Sequence, residues 1–334
     1  MSGNKISDQD YLYLSAMLSA RESHMLSREA MERMIDAPSF DDAAKLAVEY
    51  GFEDMSGMNA SQVEQALSRR RRDIYAELEG IVPEKQITDA FRIRFDYHNA
   101  KVMVKAEGAD VDGAYLLSES GRIPPEKLIE AYNSENFTGF PDDLRTAIVE
   151  AKSVLNRTEN PQLADFILDR AYFAEMAKAA EQVSSPFFRG YVGALADSAN
   201  LSAAIRTRRM GRDAEFLRRA LVPGGSRGTE AVLQAFAAGD GIAELFKGTV
   251  FEEAAEKGIA ASTGGSLTEF ELACDNAVTK YLAGARYSGF GAEKVVAYLA
   301  ETETELTAAR MILTGKLSGV KPEKLRERLR DNNA

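Results

Sequence analysis

The chain has 334 residues, 45% hydrophobic and 28% charged, a globular balance that excludes disorder. Its formal net charge of −11 argues against a nucleic-acid binder, which collects Lys and Arg, and against direct adsorption on anionic lipid. A lone Cys excludes an intrachain disulfide framework and fits a reducing compartment.

The opening residues MSGNKISDQD lack the apolar core of a signal peptide. No run approaches the roughly 18 apolar residues of a membrane span. The sequence therefore reads as a soluble cytoplasmic chain that partners hold at any membrane where it works. The stretch YLYLSAMLSARESHML follows and reads as the end of a long helix with no unit in front of it. Ser39-Phe-Asp-Asp42 caps the helix DDAAKLAVEY, and Gly51 stands where a left-handed C-terminal residue belongs. Four arginines, Arg69, Arg70, Arg71 and Arg72, then precede Asp73.

Asp96-Tyr-His-Asn99 opens the next helical run, AKVMVKA. After the joint SESGRIPP, Asn160-Pro161 and Ser185-Pro186 each offer a cap and a first-turn proline. Asp197-Ser-Ala-Asn200 opens LSAAIRTRR. Phe188, Tyr191, Val192, Leu195, Ala199, Ser202 and Ile205 fall on one helical stripe. VPGGSRG makes a second joint. Ser266-Leu-Thr-Glu269 matches a capping box, and Thr302-Glu-Thr-Glu305 opens LTAARMILTGK. The last residues, KPEKLRERLRDN, read as the first helix of a unit that stops, and both chain ends are expected near one seam.

These landmarks return in order. Asp73, Asp169 and Asp275 precede the three openings, and Glu126, Glu230 and Glu323 follow them, each step about a hundred residues. Strand-like alternation is missing, so the fold class is all-α. Three similar helical bundles are expected: residues 1–115 with an extra N-terminal helix, 116–218, and 219–334 with a short C-terminal helix. Asp96, Asn99, Asp197, Asn200 and Glu305 are predicted to form repeated inter-helix junctions, since buried polar groups must be paired.

Sites for chemistry are sparse. Gly315-Lys316 lacks the rest of a phosphate-binding loop. Two histidines, His24 and His98, and the single Cys274 fall short of a zinc set. Cys274 reads as a buried small hydrophobe, and Asp41-Asp42, Asp142-Asp143 and Glu252-Glu253 as helix-start acids. No catalytic, cofactor or metal residue is assigned. Arg69 to Arg72, with Arg206, Arg208 and Arg209, are candidates either for ion pairs within the fold or for contact with an acidic partner.

One resemblance spans most of the chain. Phe290-Gly291-Ala-Glu293, Tyr298, Glu303-Thr-Glu305 and Arg310-Met-Ile312-Leu313-Thr-Gly315-Lys316 resemble the C-terminal phrase of the C subunit of the archaeal and bacterial V-type (A-type) ATP synthase. That family is related to the d subunit of the eukaryotic vacuolar ATPase. YLYLSAMLSARESHML looks like its opening helix, and DSANLSAAIRTRRMG like its middle, while Ala100 stands where Leu is usual. The resemblance implies a funnel of three like domains with pseudo-threefold symmetry. It implies a central-rotor part of a rotary motor with no active site and no cofactor. Its partners would be the central-shaft subunits and the proteolipid ring of an ion-transporting (proton or sodium) complex, on the cytoplasmic side of the cell membrane. The alternative left open by the residues alone is a helical-repeat adaptor unrelated to ATPases.

Overall fold

The structure is a computed structural model that describes residues 6–239 and 241–331. It is all-α, with no strand among the described residues. In chain order the helices are α1 (Leu12–Glu22), α2 (Arg28–Asp36), α3 (Phe40–Val48), α4 (Ala60–Glu79), α5 (Lys85–Ala109), α6 (Pro125–Asn133), α7 (Asp142–Thr158) and α8 (Pro161–Glu181). They continue as α9 (Pro186–Arg209), α10 (Ala214–Ala220), α11 (Thr229–Ala237), α12 (Gly241–Phe246), α13 (Glu252–Ser262), α14 (Leu267–Leu282), α15 (Ala292–Leu317) and α16 (Pro322–Arg326).

Local chemistry sets the helix starts. The side chains of Ser39, Asn160, Ser185 and Ser266 each accept a hydrogen bond from a first-turn N–H, satisfying donors that the helix leaves open. Prolines at 161 and 186 occupy first-turn positions, where no N–H is needed. The three longest helices, α5, α9 and α15, end alike. Val111 N donates to Ala106 O at 3.0 Å, Arg212 N to Thr207 O at 3.0 Å and Val320 N to Gly315 O at 2.8 Å. The left-handed residues Asp110, Gly211 and Gly319 stand just before these donors, as in a Schellman motif.

Contacts group the chain into two compact units. The first contains residues up to Thr88, Gly248–Ala260 and Gly265 onward; the second contains Asp89–Lys247 and Ala261–Gly264. In the first unit α1, α2, α3, α4 and α16 pack on α15 or on one another. α4 and α15 run antiparallel, since Glu64 pairs with Arg310 and Arg71 with Glu303. Met34, Ile35, Leu306, Ile312 and Leu313 are almost fully buried in this core, each contributing about 1.5–3 kcal/mol of transfer free energy. The C-terminal segment closes the same core: Leu325 and Leu329 are buried, and Arg28 Nη1 donates to Leu329 O at 3.3 Å. The C-terminal α16 therefore packs on α2.

In the second unit α7 and α8 form an antiparallel hairpin, with Lys178 near the end of α8 paired to Asp143 at the start of α7. Lys101 and Lys105 on α5 pair with Asp169 and Asp165 on α8, so α5 and α8 are antiparallel too. α8 and α9 pack in succession, and Phe91 of α5 stacks on Tyr191 of α9 at 5.6 Å. The single stripe expected on α9 is replaced by burial on several faces. Gly193, Ala194, Ala196, Leu201 and Ala204 are buried as well, while Leu195, Ala199 and Ser202 are only half-buried. Small side chains let neighbouring backbones approach, so amphipathic spacing understates how far the helix is enclosed.

Candidate functional site

Two buried acid–amide pairs organise the second unit. Asp96 and Asn99 lie three residues apart on α5 and share a face. Asn99 Nδ2 donates to Ser118 O at 2.8 Å, and its Oδ1 accepts from Ser118 N at 2.7 Å. Asp96 Oδ1 accepts from Arg122 N at 2.8 Å and Ile123 N at 3.1 Å, and Oδ2 accepts from Arg122 Nε at 2.6 Å. On α9 the pattern returns. Asn200 Nδ2 donates to Val222 O at 2.9 Å, and its Oδ1 accepts from Val222 N at 2.8 Å. Asp197 Oδ2 accepts from Ser226 Oγ at 2.5 Å, and Oδ1 accepts from Arg227 N at 3.4 Å. Each pair clasps the segment that follows its own helix, and those segments are the joints SESGRIPP and VPGGSRG. All four side chains are buried.

Gly121 and Gly225 make the clasps possible. A Cβ on either would fall inside contact distance of the Asp96 or Asp197 carboxylate. Burial raises the Asp96 carboxyl, while the Arg122 guanidinium and the two loop N–H groups act the other way. Burial works against the Arg122 charge, but Asp96 and Glu175 outweigh it, so Arg122 is held more firmly as a cation. Glu175 Oε1 lies 2.7 Å from Arg122 Nη1, and Tyr97 Oη donates to Glu175 Oε2 at 2.9 Å. Asp96, Arg122, Glu175 and Tyr97 thus form one buried network joining α5, α8 and the joint.

The first unit holds a related clasp on α15. Glu305 Oε1 accepts from Leu26 N at 2.9 Å, and Oε2 lies 3.4 Å from Arg70 Nη2. The segment held here precedes α2 and comes from the beginning of the chain. That order shifts one landmark. Glu126 and Glu230 stand in the first turns of α6 and α11, directly after the clasped segments. In the first unit this place belongs to Glu29 in α2, while Glu323 stands in the first turn of α16. Thr302 replaces the aspartate, and its buried hydroxyl has no hydrogen-bond partner among the described residues. Tyr75 Oη donates to Glu303 Oε1 at 2.6 Å, and Arg71 Nε pairs with the same oxygen at 2.8 Å. Burial raises the Glu305 carboxyl, opposed by Arg70 and the Leu26 N–H.

The arginine run divides by helical geometry. Arg69 turns to the surface and pairs with Glu53 at 2.7 Å. Arg70 lies over the Phe52 ring at 4.0 Å and donates to Gly51 O and, at 3.1 Å, to Tyr50 O. Arg71 faces Glu303, and Arg72 is exposed. Arg208 Nη2 donates to Phe236 O and Arg209 Nη1 to Ala261 O, both at 2.9 Å, whereas Arg206 is exposed. Arg70 and Arg71 thus serve the fold, and Arg69, Arg72, Arg206 and Arg209 are the members of the two clusters with exposed positions.

The remaining groups do ordinary work. His98 Nε2 lies 3.2 Å from Leu116 O and His24 Nδ1 3.0 Å from Ala20 O. Cys274 is buried. Asp41, Asp42, Asp142, Asp143, Glu252 and Glu253 stand in first helical turns, where the dipole favours them. Among the described residues no group of three or more His, Cys, Asp or Glu could hold a metal ion. None of the described helices is long and apolar enough to cross a membrane.

Sequence reasoning located the Asp and Asn doublets but missed their counterparts Ser118, Arg122, Val222 and Ser226, and the supporting Tyr97, Glu175 and Tyr75. One signal was available: a glycine followed within two residues by arginine in both joints, Gly121-Arg122 and Gly225-Ser226-Arg227.

The family model described as ATP synthase (C/AC39) subunit matches residues 14–328. The C subunit of the V-type sodium ATPase of Enterococcus hirae is 25% identical, over 96% of this chain and 98% of that protein. The C subunit of the A-type ATP synthase of Methanocaldococcus jannaschii is 25% identical, over 96% of this chain and 86% of its own. Its counterpart in the V-type ATP synthase of Thermus thermophilus is 25% identical over 63% of this chain and 67% of its own. With a model match across nearly its whole length, the chain belongs to the ATP synthase (C/AC39) subunit family.

Proposed function

We propose that this chain is the non-catalytic central-rotor subunit of a V-type or A-type ATP synthase, coupling the soluble central shaft to the membrane proteolipid ring. The family is that of a structural rather than a catalytic subunit. The reading places the chain on the cytoplasmic face of the cell membrane, held there by its partners. It includes three like units, at 1–115, 116–218 and 219–334, arranged as a funnel. The clasps at Asp96/Asn99, Asp197/Asn200 and Glu305 are the junctions of that arrangement.

The observation that carries this reading is the clasp repeated along the chain. Transmitting torque requires a body whose long helices neither slide nor rotate against their connections. A side chain that bonds both N–H and C=O of one joint residue, as Asn99 and Asn200 do, fixes the joint in two directions. Because the bonds are buried, water cannot replace them at low cost.

The test separates coupling from hydrolysis. Membrane vesicles carrying the complex are stripped of this chain, and ATP-driven ion uptake and ATP hydrolysis are both measured. Uptake is expected to vanish while hydrolysis by the soluble part persists, and purified chain should restore uptake. Ion uptake that continues without the chain would refute the assignment.

A further inference from the structure

The segment that follows α5 departs from the segments that follow α9 and α15. After α9, α10 buries Leu217, with Leu221 buried just beyond it; after α15, α16 buries Leu325, with Leu329 buried beyond. Both stretches mix basic and acidic residues, with Arg212, Arg218 and Arg219 beside Asp213 and Glu215 in one and Lys324, Arg326 and Arg328 beside Glu323 and Glu327 in the other. After α5 the apolar side chains turn outward instead. Val111 is 61% exposed, Tyr115 81% and Leu116 52%. Asp110, Asp112 and Glu119 stand among them, and no Lys or Arg lies between Lys105 and Arg122.

This segment is held in place. Val111 N is bonded to Ala106 O, Ala114 N donates to Asp112 Oδ1 at 2.9 Å, and Ser118 is clasped by Asn99. Gly113 sits against Val102 and Ala106 of α5, where a Cβ would collide. The outward side chains therefore ride on a preordered backbone, which lowers the entropy cost of binding. An exposed tyrosine flanked by aliphatics is the composition of an interface anchor. The carboxylates decide the partner's charge: they repel an anionic lipid surface and attract Lys and Arg.

We propose that residues 110–119 are the docking surface for a basic amphipathic helix of a partner subunit. Its apolar stripe would cover Val111, Tyr115 and Leu116, and its Lys or Arg residues would lie beside Asp110 and Asp112. The inference rests on the reading that this chain works inside the rotary complex, and it locates one contact there. Because the segments after the other two long helices contain Lys or Arg and bury Leu217 and Leu221 or Leu325 and Leu329, the contact is specific to the segment after α5.

The experiment uses the full chain in the complex purified from native membranes, with a photo-crosslinking p-benzoyl-phenylalanine at position 115. The expected product joins position 115 to a helix of another subunit in which Lys or Arg flanks apolar residues. In parallel, V111S/Y115S/L116S should leave the melting temperature of the isolated chain unchanged and weaken its assembly about tenfold or more. D110N/D112N, which keeps the bond to Ala114 N, should reduce the salt dependence of assembly. Cross-linking to lipid, to a second copy of this chain or to a helix without basic residues overturns the proposal, as does parent-like assembly of the triple variant. If the chain is in the complex but position 115 cross-links to nothing, this inference alone falls. If the chain is absent from the complex, the functional reading falls with it.

Discussion

Replacing Asp96 with alanine tests the clasp directly. The carboxylate is 1% exposed and receives Arg122 N, Ile123 N and Arg122 Nε. Truncation leaves two backbone donors without an acceptor, at about 1–3 kcal/mol each when buried. Arg122 loses one of its two carboxylates but keeps Glu175 at 2.7 Å, so the larger penalty of a wholly unpaired buried charge does not apply. The sum is about 2–6 kcal/mol, or about 4–24 °C in melting temperature for a unit of this size. Asp197 has less to lose: a rotatable serine hydroxyl and one long bond of 3.4 Å. Asp197→Ala should cost only about 1–2 kcal/mol. Urea and thermal unfolding followed by circular dichroism would rank the two variants. An Asp96→Ala protein within about 0.5 kcal/mol of the parent, or one more stable than Asp197→Ala, would refute the assignment of these bonds.

Other outcomes follow from the same geometry. Gly121→Ala and Gly225→Ala should each destabilise by about 1–3 kcal/mol, because the added methyl must displace a clasping carboxylate; parent-like unfolding would mean that the joints lie elsewhere. Arg70→Ala should cost about 2–4 kcal/mol, since it takes a donor from Tyr50 O and Gly51 O and the cation from the buried Glu305, which keeps the Leu26 N–H. Arg69→Ala should stay within about 0.5 kcal/mol, its ion pair being at the surface. Equal losses at 69 and 70 would contradict the division of the run. Glu305 gives a pH test. Burial lifts its folded value above the ordinary 4.5, so the native state binds the proton more readily than the unfolded chain. Its contribution to stability therefore falls as pH rises through that window. Glu305→Gln, which keeps an acceptor for Leu26 N, should flatten this fall in denaturant titrations carried upward in pH from the ordinary glutamate value of 4.5, and an unchanged slope would count against it.

Much of the molecule is legible in the sequence wherever the cause is local. The caps at Ser39, Asn160, Ser185 and Ser266 and the chain reversal at Gly51 each depend on atoms within one turn of helix. The Asp and Asn doublets were visible because residues three apart must share a helical face. Their counterparts were not, because the intervening chain differs in length: Asn99 reaches 19 residues ahead to Ser118, and Asn200 reaches 22 to Val222. No fixed spacing could mark both.

The arginine run shows where sequence reading stops. Its four members are chemically identical, and adjacent helical residues point in different directions. Only folding turns Arg70 and Arg71 toward glutamates 235 and 232 residues away, while Arg69 stays at the surface. The sequence by itself determined an all-helical chain, its helix ends and the places where polar groups recur, since those follow from bonds within a turn and from the helical period. Tertiary structure decided which recurring groups are buried, what they hold and that the beginning of the chain completes the clasp on α15, since closing distant segments depends on the packing of every helix between them.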